Sequence, residues 1–591
     1  MNDTGKDDTT EAPNPFMPSP DDLQHWASVM GRAQQMMLEY ALGQANQGNS
    51  AAAGMFDPAS WLQNPTTQLW AEQSSKLWEQ GVTFWTSLAT IQPSFTPETD
   101  ARRPDKRFAD PDWTANPVFA LIRQTYGLLA EQLLTTTRTM QGLDEHARAK
   151  MEFAAKNMTD ALSPSNLAIT NPEVIRRAVE TRGESLLKGL KNMLADLSRG
   201  QLSHVDPDAF EVGVNIATTP GKVIHETDLY QLIQYSPTTK EVFTVPLVIF
   251  PPWINRFYIL DLNPAKSFVA WAVEQGLSVF MVSWKSADAS MGEIVWDDYA
   301  AAQVDAVDTV RDLLGVPHVH TIGYCVAGTT LAATLAMLAA RGEADKVKSV
   351  TFFTAQVDFE LAGDLKMFVD ESYLTLLQQL SAGGFLDGRY MAATFNSLRG
   401  RDLIWNYVVS NYLLGNDYPP FDLLYWNGDV TNLPAKWHRQ YLVDLYRDNR
   451  MVIPNSLTVM ATPIDLKKIE TPAYIQAGRE DHIAPLASVW RLMEHLSGPK
   501  TFVLAGSGHI AGVVNPPAAG KYQYWTGDND AASLDDFVAS ASETKGSWWP
   551  HWIGWIAQQD GAKIAAKGAR IPGKGKKKPI EDAPGRYVKQ R

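Results

Sequence analysis

Apolar positions along the chain follow two different rhythms, and the change between them divides it. From Asp22 to Gly200 they recur at helical spacing, over Leu23 to Leu42, Trp61 to Ala89 and Pro117 to Leu162, with few β-branched runs between. After about Leu202 short apolar runs alternate with helical stretches. Val223 to Tyr235 reads as an edge strand, and Val242 to Phe250 as a strongly apolar strand ending at Pro251-Pro252. Then come a helix over Ser267 to Gly276, a strand over Ser278 to Ser283 and an amphipathic helix over Trp296 to Leu314. His318 to Gly323 is a strand, Val326 to Arg341 a helix and Val347 to Thr354 a strand. Alternation of this kind predicts a parallel α/β sheet. It stops over 359–454, an aromatic-rich block that reads as a cap inserted over the sheet. It resumes with a strand at Ala473 to Ala477, a helix at Pro485 to Leu496 and a strand at Thr501 to Leu504.

The expected organisation is therefore a disordered segment over 1–22, a helical N-terminal domain over 23–204, a catalytic α/β domain over 205–560 and a tail over 561–591. The first segment is rich in Asp, Thr and Pro. The tail carries ten Lys/Arg against Glu581 and Asp582, and its Gly and Pro content predicts a flexible basic extension. Length bears out more than one domain, at 591 residues. A net charge of −14 weighs against a nucleic-acid binder. No run of apolar residues reaches the length of a membrane helix, and Met1 to Thr10 lack the basic start and apolar core of a secretory signal, which predicts a cytoplasmic protein without a transmembrane segment. One cysteine leaves no intramolecular disulfide and no Cys-based zinc site.

That cysteine stands in Gly323-Tyr324-Cys325-Val326-Ala327-Gly328, between an apolar strand and a helix of small residues. The context is that of a nucleophile elbow, where a sharp strand-to-helix turn presents the nucleophile at the top of a sheet. A helix start favours anionic sulfur. Ala327 stands where the usual pattern has glycine, and Gly328 follows it. A nucleophile needs a base and an orienting acid, in the order nucleophile, acid, base for this fold. Asp481, in Gly478-Arg479-Glu480-Asp481-His482, follows one strand, and His509, in Gly506-Ser507-Gly508-His509, follows the next. Glu480 and Asp358 are competing acids and His482 a competing base. His318 and His320 alternate along a strand as metal ligands can, but without a third ligand they read as core or edge histidines. The N–H of Val326 is expected to donate to the oxyanion, with that of Ile254, in the loop Pro251-Pro252-Trp253-Ile254-Asn255, as the second donor. A thiolate exchanges readily with a thioester, which makes an acyl-CoA a natural donor.

Several stretches resemble class I polyhydroxyalkanoate synthases. They include Pro251-Pro252 with Asn255 and Ile259-Leu260-Asp261-Leu262, Val282-Ser283-Trp284, Gly323-Tyr324-Cys325-Val326 and Leu403-Ile404-Trp405-Asn406-Tyr407. Phe421-Asp422-Leu423-Leu424-Tyr425-Trp426-Asn427, Arg479-Glu480-Asp481-His482, Gly508-His509-Ile510-Ala511-Gly512-Val513 and, near the end, Ala583-Pro584-Gly585-Arg586-Tyr587-Val588 complete the set. The resemblance implies an α/β-hydrolase fold with a large cap insertion, preceded by a helical N-terminal domain. It implies polymerisation of (R)-3-hydroxyacyl-CoA, with 3-hydroxybutyryl-CoA as the expected unit, into polyester. Cys325 would carry the acyl group, His509 act as base and Asp481 as acid. No cofactor is implied beyond coenzyme A, which belongs to the substrate and leaves. Arg399, His482 and Trp426 are the candidates for substrate and CoA contacts. The resemblance further implies a homodimer on cytoplasmic polyester granules, with granule-coating proteins as further partners. Two rival readings are a Cys-dependent hydrolase of the dienelactone type and a non-catalytic granule protein that has kept the fold.

Overall fold

The computed structural model describes His25, residues 28–37, 39–40 and 105–591. The expected disordered segment over 1–22 and the helix over Trp61 to Ala89 lie outside the described residues. Residues 28–37 are helical, within the expected Leu23 to Leu42. The described residues fall into two compact units, one comprising those up to Gly142 with 151–203 and 399–418, the other 143–150, 204–398 and 419–591.

The first unit is helical. The helical spacing over Pro117 to Leu162 resolves into two helices, α1 (Pro117–Thr139) and α2 (Glu145–Ala161), with Gly142 at φ +84° between them. Asn116 caps α1, accepting from the N–H of Val118, with proline at the first turn. Asn171 does the same for α3 (Pro172–Glu180), and α4 (Glu184–Arg199) runs between Gly183 and Gly200, both left-handed. Residues 399–418 pack on α4 so closely that a Cβ on Gly189 would lie 1.8 Å from the carbonyl oxygen of Tyr412. The Tyr412 hydroxyl donates to Asp196 at 2.6 Å, and Arg401 bonds the buried Asp160 at 2.8 Å. Part of the block expected as one cap therefore belongs to the helical unit. Its periodicity, interrupted by π-helical turns at Arg401–Trp405 and Val408–Leu413, gave no sign of that allegiance.

The second unit is built on an eleven-stranded sheet. Its strands are β1 (Gly221–Glu226), β2 (Tyr230–Tyr235), β4 (Leu247–Phe250), β5 (Val279–Trp284), β6 (Val319–Tyr324) and β7 (Val347–Phe353). They continue with β8 (Ala473–Gly478), β9 (Lys500–Ala505), β10 (Gln523–Thr526), β11 (Ser542–Lys545) and β13 (Glu581–Asp582). The order is β11-β10-β9-β8-β7-β6-β4-β5-β2-β1-β13, and the six strands from β9 to β5 are parallel. Every residue of β5, β6 and β8 is buried, as a sheet covered on both faces requires. The expected strand over Val242 to Phe250 is split around Pro246 into β3 (Glu241–Phe243) and β4, since proline cannot donate to the ladder. The expected edge strand is the hairpin of β1 and β2, whose inner member is wholly buried.

Helix α5 (Phe268–Glu274) follows β4, α6 (Trp296–Leu314) follows β5, and α7 (Val326–Ala340) follows β6. Residues 326–338 are all buried, and the alanines, threonines and glycine among them let α7 sit close to the sheet and to α6. Two helices of the cap, α8 (Glu371–Leu380) and α9 (Gly388–Leu398), precede α10 (Asp422–Gly428) and α11 (Ala435–Gln440), and α12 (Leu486–His495) joins β8 to β9. Among the described residues no helix is long and apolar enough to cross a membrane.

The segment 561–591 departs from expectation. It is not a flexible extension but is folded onto this unit. β12 (Lys563–Ala565) pairs antiparallel with β3, and β13 adds to the edge of the main sheet on β1. Arg570 is buried and donates to the carbonyl of Thr244 at 2.6 Å, and Tyr587 and Val588 are buried. Composition missed this because the lysines stay in solvent while a few side chains and main-chain bonds, such as Ile580 N–H to the Val223 carbonyl at 2.8 Å, hold the segment down.

Candidate active site

Four loops at the carboxyl ends of β4, β6, β8 and β9 bring the candidate residues together, the edge at which open α/β sheets bind ligands. Cys325 follows β6 and caps α7 with φ +52° and ψ −128°, a conformation costly for a side-chain-bearing residue and typical of a nucleophile elbow. Its neighbours impose it. The Cys325 N–H donates to the Phe353 carbonyl at 3.0 Å, while its carbonyl accepts from Gly328 and Thr329 at 2.9 and 3.1 Å. The turn is crowded at two glycines. A Cβ on Gly323 would lie 2.5 Å from Gly328 Cα, and one on Gly328 would lie 2.5 Å from Ala355 Cβ. Glycine is thus required at 323 and 328. Ala327, the departure from the usual pattern, is buried without such a conflict, and its carbonyl accepts from Gln303 at 3.0 Å.

His509 and Asp481 are both buried, and their side chains meet at 2.7 Å between Nδ1 and Oδ2. The other Asp481 oxygen accepts from the N–H groups of Ile483 and Ala484 at 2.8 and 2.9 Å, which fixes the carboxylate. Tyr324 donates its hydroxyl to the His509 carbonyl at 2.9 Å, tying the histidine loop to the elbow. The Cys325 side chain also acts on His509. Burial alone would lower the pKa of the imidazolium. The Asp481 carboxylate and the charge and hydrogen bond of Cys325 more than offset it, and His509 is pushed up to about 10. Near neutral pH His509 is thus held as the imidazolium, a positive charge placed beside the Cys325 sulfur.

The loop after β4 is held through its carbonyls. Trp284 donates to that of Pro251 at 2.8 Å, Thr431 to that of Trp253 at 2.6 Å, and Trp426 to that of Arg256 at 2.6 Å. Trp253 is itself buried, stacked on Tyr299 at 3.9 Å. No acceptor among the described residues takes up the N–H of Ile254 or that of Val326, and both residues line one cavity with Cys325. The cavity measures about 60 Å³. Its wall is largely apolar, with Leu365, Val369 and Met391 from the cap, and Ile483 and Ala484 beside Asp481.

Three other candidates are not among the residues that line the cavity. Trp426 is buried with its indole N–H committed to the loop carbonyl, so it braces the loop and does not line the cavity. His482 is half-buried and outside the cavity lining. Arg399 belongs to the helical unit, where it is exposed and paired with Asp402 at 2.7 Å. His320 is a core histidine bonded to Ser349 at 2.7 Å, and its pKa falls to about 4 through burial. Asp358, the competing acid, pairs with His495 and Asn449 instead. Sequence reasoning missed His438, Tyr441, Leu442 and Tyr446, which line the cavity from one segment of the cap. Their helical spacing was the available signal. Tyr441 and Tyr446 sense the charge of Cys325, which adds to burial in keeping their phenols protonated.

Comparison with known proteins agrees with this architecture. Residues 104–272 match the family model described as the N-terminus of poly-beta-hydroxybutyrate polymerase (PhaC), and residues 247–516 match that of the alpha/beta hydrolase fold. A poly(3-hydroxyalkanoate) polymerase subunit PhaC of Rhizobium meliloti (strain 1021) is 44% identical over 539 residues, covering 90% of this chain and 87% of that protein. The corresponding subunit of Cupriavidus necator is 42% identical over 567 residues, 91% of this chain and 96% of that protein. A poly(3-hydroxyalkanoate) polymerase of Methylorubrum extorquens is 43% identical over 541 residues, 90% and 88% of the two chains. With relatives this similar over nearly their whole length, the chain belongs to the poly(3-hydroxyalkanoate) polymerase family.

Proposed function

We propose that the chain polymerises (R)-3-hydroxyacyl-CoA into polyester through an acyl group carried on Cys325, with release of CoA. The observation that supports this most directly is the elbow cysteine acting on a His509 that Asp481 holds, beside two uncommitted N–H groups at an apolar cavity. In the first half-reaction the Cys325 thiolate attacks the thioester carbon. The oxyanion accepts from Val326 and Ile254, the bond to the CoA sulfur breaks, and the His509 proton passes to that sulfur. Acylation removes the sulfur charge that helped hold the proton on His509, leaving a neutral imidazole oriented by Asp481. In the second half-reaction His509 takes the proton of a 3-hydroxyl as its oxygen bonds to the acyl carbon. The carbon–sulfur bond breaks, and Cys325 leaves as a thiolate beside the renewed imidazolium.

The cap covers the cavity with Leu365, Val369, Met391 and Leu442, and this apolar cover favours transfer to an alcohol over hydrolysis by limiting access of bulk water. At roughly 10–15 Å³ per water-sized position, a cavity of about 60 Å³ fits a short unit such as 3-hydroxybutyryl. We extend the proposal to what the sequence resemblance implies, a homodimer on cytoplasmic polyester granules with granule-coating proteins as neighbours. A CoA-release assay over a series of (R)-3-hydroxyacyl-CoA lengths, with the polymer recovered, tests the reading. CoA release with polymer, fastest for the shortest units, is expected. Free hydroxy acid as the sole product would refute it in favour of a hydrolase.

A further inference from the structure

Arg256, at the end of the loop that carries Ile254, is 3% exposed and sits among acceptors from two distant parts of the chain. From the cap, Asp429 Oδ1 lies 3.3 Å from its Nε, and the Val430 carbonyl 3.4 Å from its Nη2. From the segment folded onto the sheet, the carbonyls of Tyr587 and Gln590 lie 3.4 and 2.6 Å from its Nη1 and Nη2. Asp429 is shared further. It accepts from the Tyr258 hydroxyl at 2.7 Å and pairs with Arg591 at 3.1 Å. The backbone of Asn255 also bridges Val430. A buried guanidinium is costly unless its donors are satisfied, so this cluster is a fixed point for the loop.

We infer that Tyr587–Arg591 acts as a positioning element for the acyl-transfer site, holding the Ile254 N–H in place through Arg256. This rests on the proposed Cys325 chemistry, to which it adds a role for a segment whose composition suggested a loose tail. The loop peptide is fixed on both flanks, by the Thr431 and Trp426 bonds to its carbonyls and by the guanidinium at its end. Releasing the guanidinium from its shortest bond, that to the Gln590 carbonyl, frees the donor without touching Cys325, His509 or Asp481. Displacing one oxyanion donor lowers the rate of the step that forms the oxyanion and leaves ground-state binding in place.

The test is deletion of Gln590 and Arg591, both exposed, in the otherwise full chain, with Arg256→Lys as a second variant that keeps the charge and loses the fork. Single-turnover release of CoA from (R)-3-hydroxybutyryl-CoA should slow about 10-fold or more in both, with KM within about 2-fold of wild type. Alkylation of Cys325 by iodoacetamide, which passes through no oxyanion, should keep its wild-type rate. Acylation unchanged in both variants, or alkylation slowed as much as acylation, would overturn the positioning role while leaving the polymerase reading intact. A wild-type chain that releases no CoA would instead overturn the polymerase reading and the inference with it.

Discussion

Replacing Asp481 with Asn removes a charge that the structure makes central to the state of His509. The wild-type imidazolium is raised from 6.5 to about 10 against the opposing effect of burial, with Asp481 the largest of the raising influences. That rise corresponds to roughly 5 kcal/mol of net preference for the charged ring at about 1.36 kcal/mol per pKa unit. With an amide in place of the carboxylate, the His509 titration should fall from about 10 toward its ordinary value. The sign of the stability effect follows. A group whose pKa is raised on folding contributes stability that is complete below about 6.5 and disappears as pH rises through about 10. The difference in Tm between wild type and Asp481→Asn should therefore be largest near pH 6 and shrink toward pH 10. CoA release should drop about 10³–10⁴-fold, as for loss of the orienting acid in other triads. A Tm difference that grows toward high pH would refute the assignment of a charged His509 held by Asp481.

Other outcomes follow from the same geometry. Gly328→Ala sets a methyl group 2.5 Å from Ala355 Cβ and should cost about 1–3 kcal/mol of stability by chemical denaturation, with loss of CoA release. Trp426→Phe removes the donor to the Arg256 carbonyl and should cost about 1 kcal/mol, with a lower kcat and little change in KM, measured by CoA release. Arg399→Ala removes only an exposed pair with Asp402 and should change stability by less than about 1 kcal/mol, read from Tm.

The parallel part of the sheet was legible because its strands are buried on both faces and announce themselves as continuous apolar runs. The expected α6 ends coincide with the structure, and β6, β7, β8 and β9 fall within a residue or two. The candidate triad was legible for a related reason, since chemistry at strand ends can be found once the strands are. What could not be read depends on contacts distant in sequence. Residues 399–418 have a helical rhythm, and it takes distant partners, Gly189 and Asp196 for Tyr412 and Asp160 for Arg401, to reveal where they pack. Arg570 and Tyr587 look like members of a polar tail until Thr244 and Arg256 are seen as their partners. Trp426, a candidate for a substrate contact, commits its indole N–H to the Arg256 carbonyl, a partnership that no local pattern discloses. The cavity wall from His438 to Tyr446 was hidden in a cap where aromatics are common and no single residue stands out.

Mass spectrometry of the Cys325-containing peptide, after rapid mixing with (R)-3-hydroxybutyryl-CoA and acid quench, tests the central claim most directly. The account predicts a hydroxyacyl adduct on Cys325 that forms as CoA is released, and predicts neither adduct nor CoA release in Cys325→Ala. Continued CoA release and polymer synthesis by that variant would contradict it.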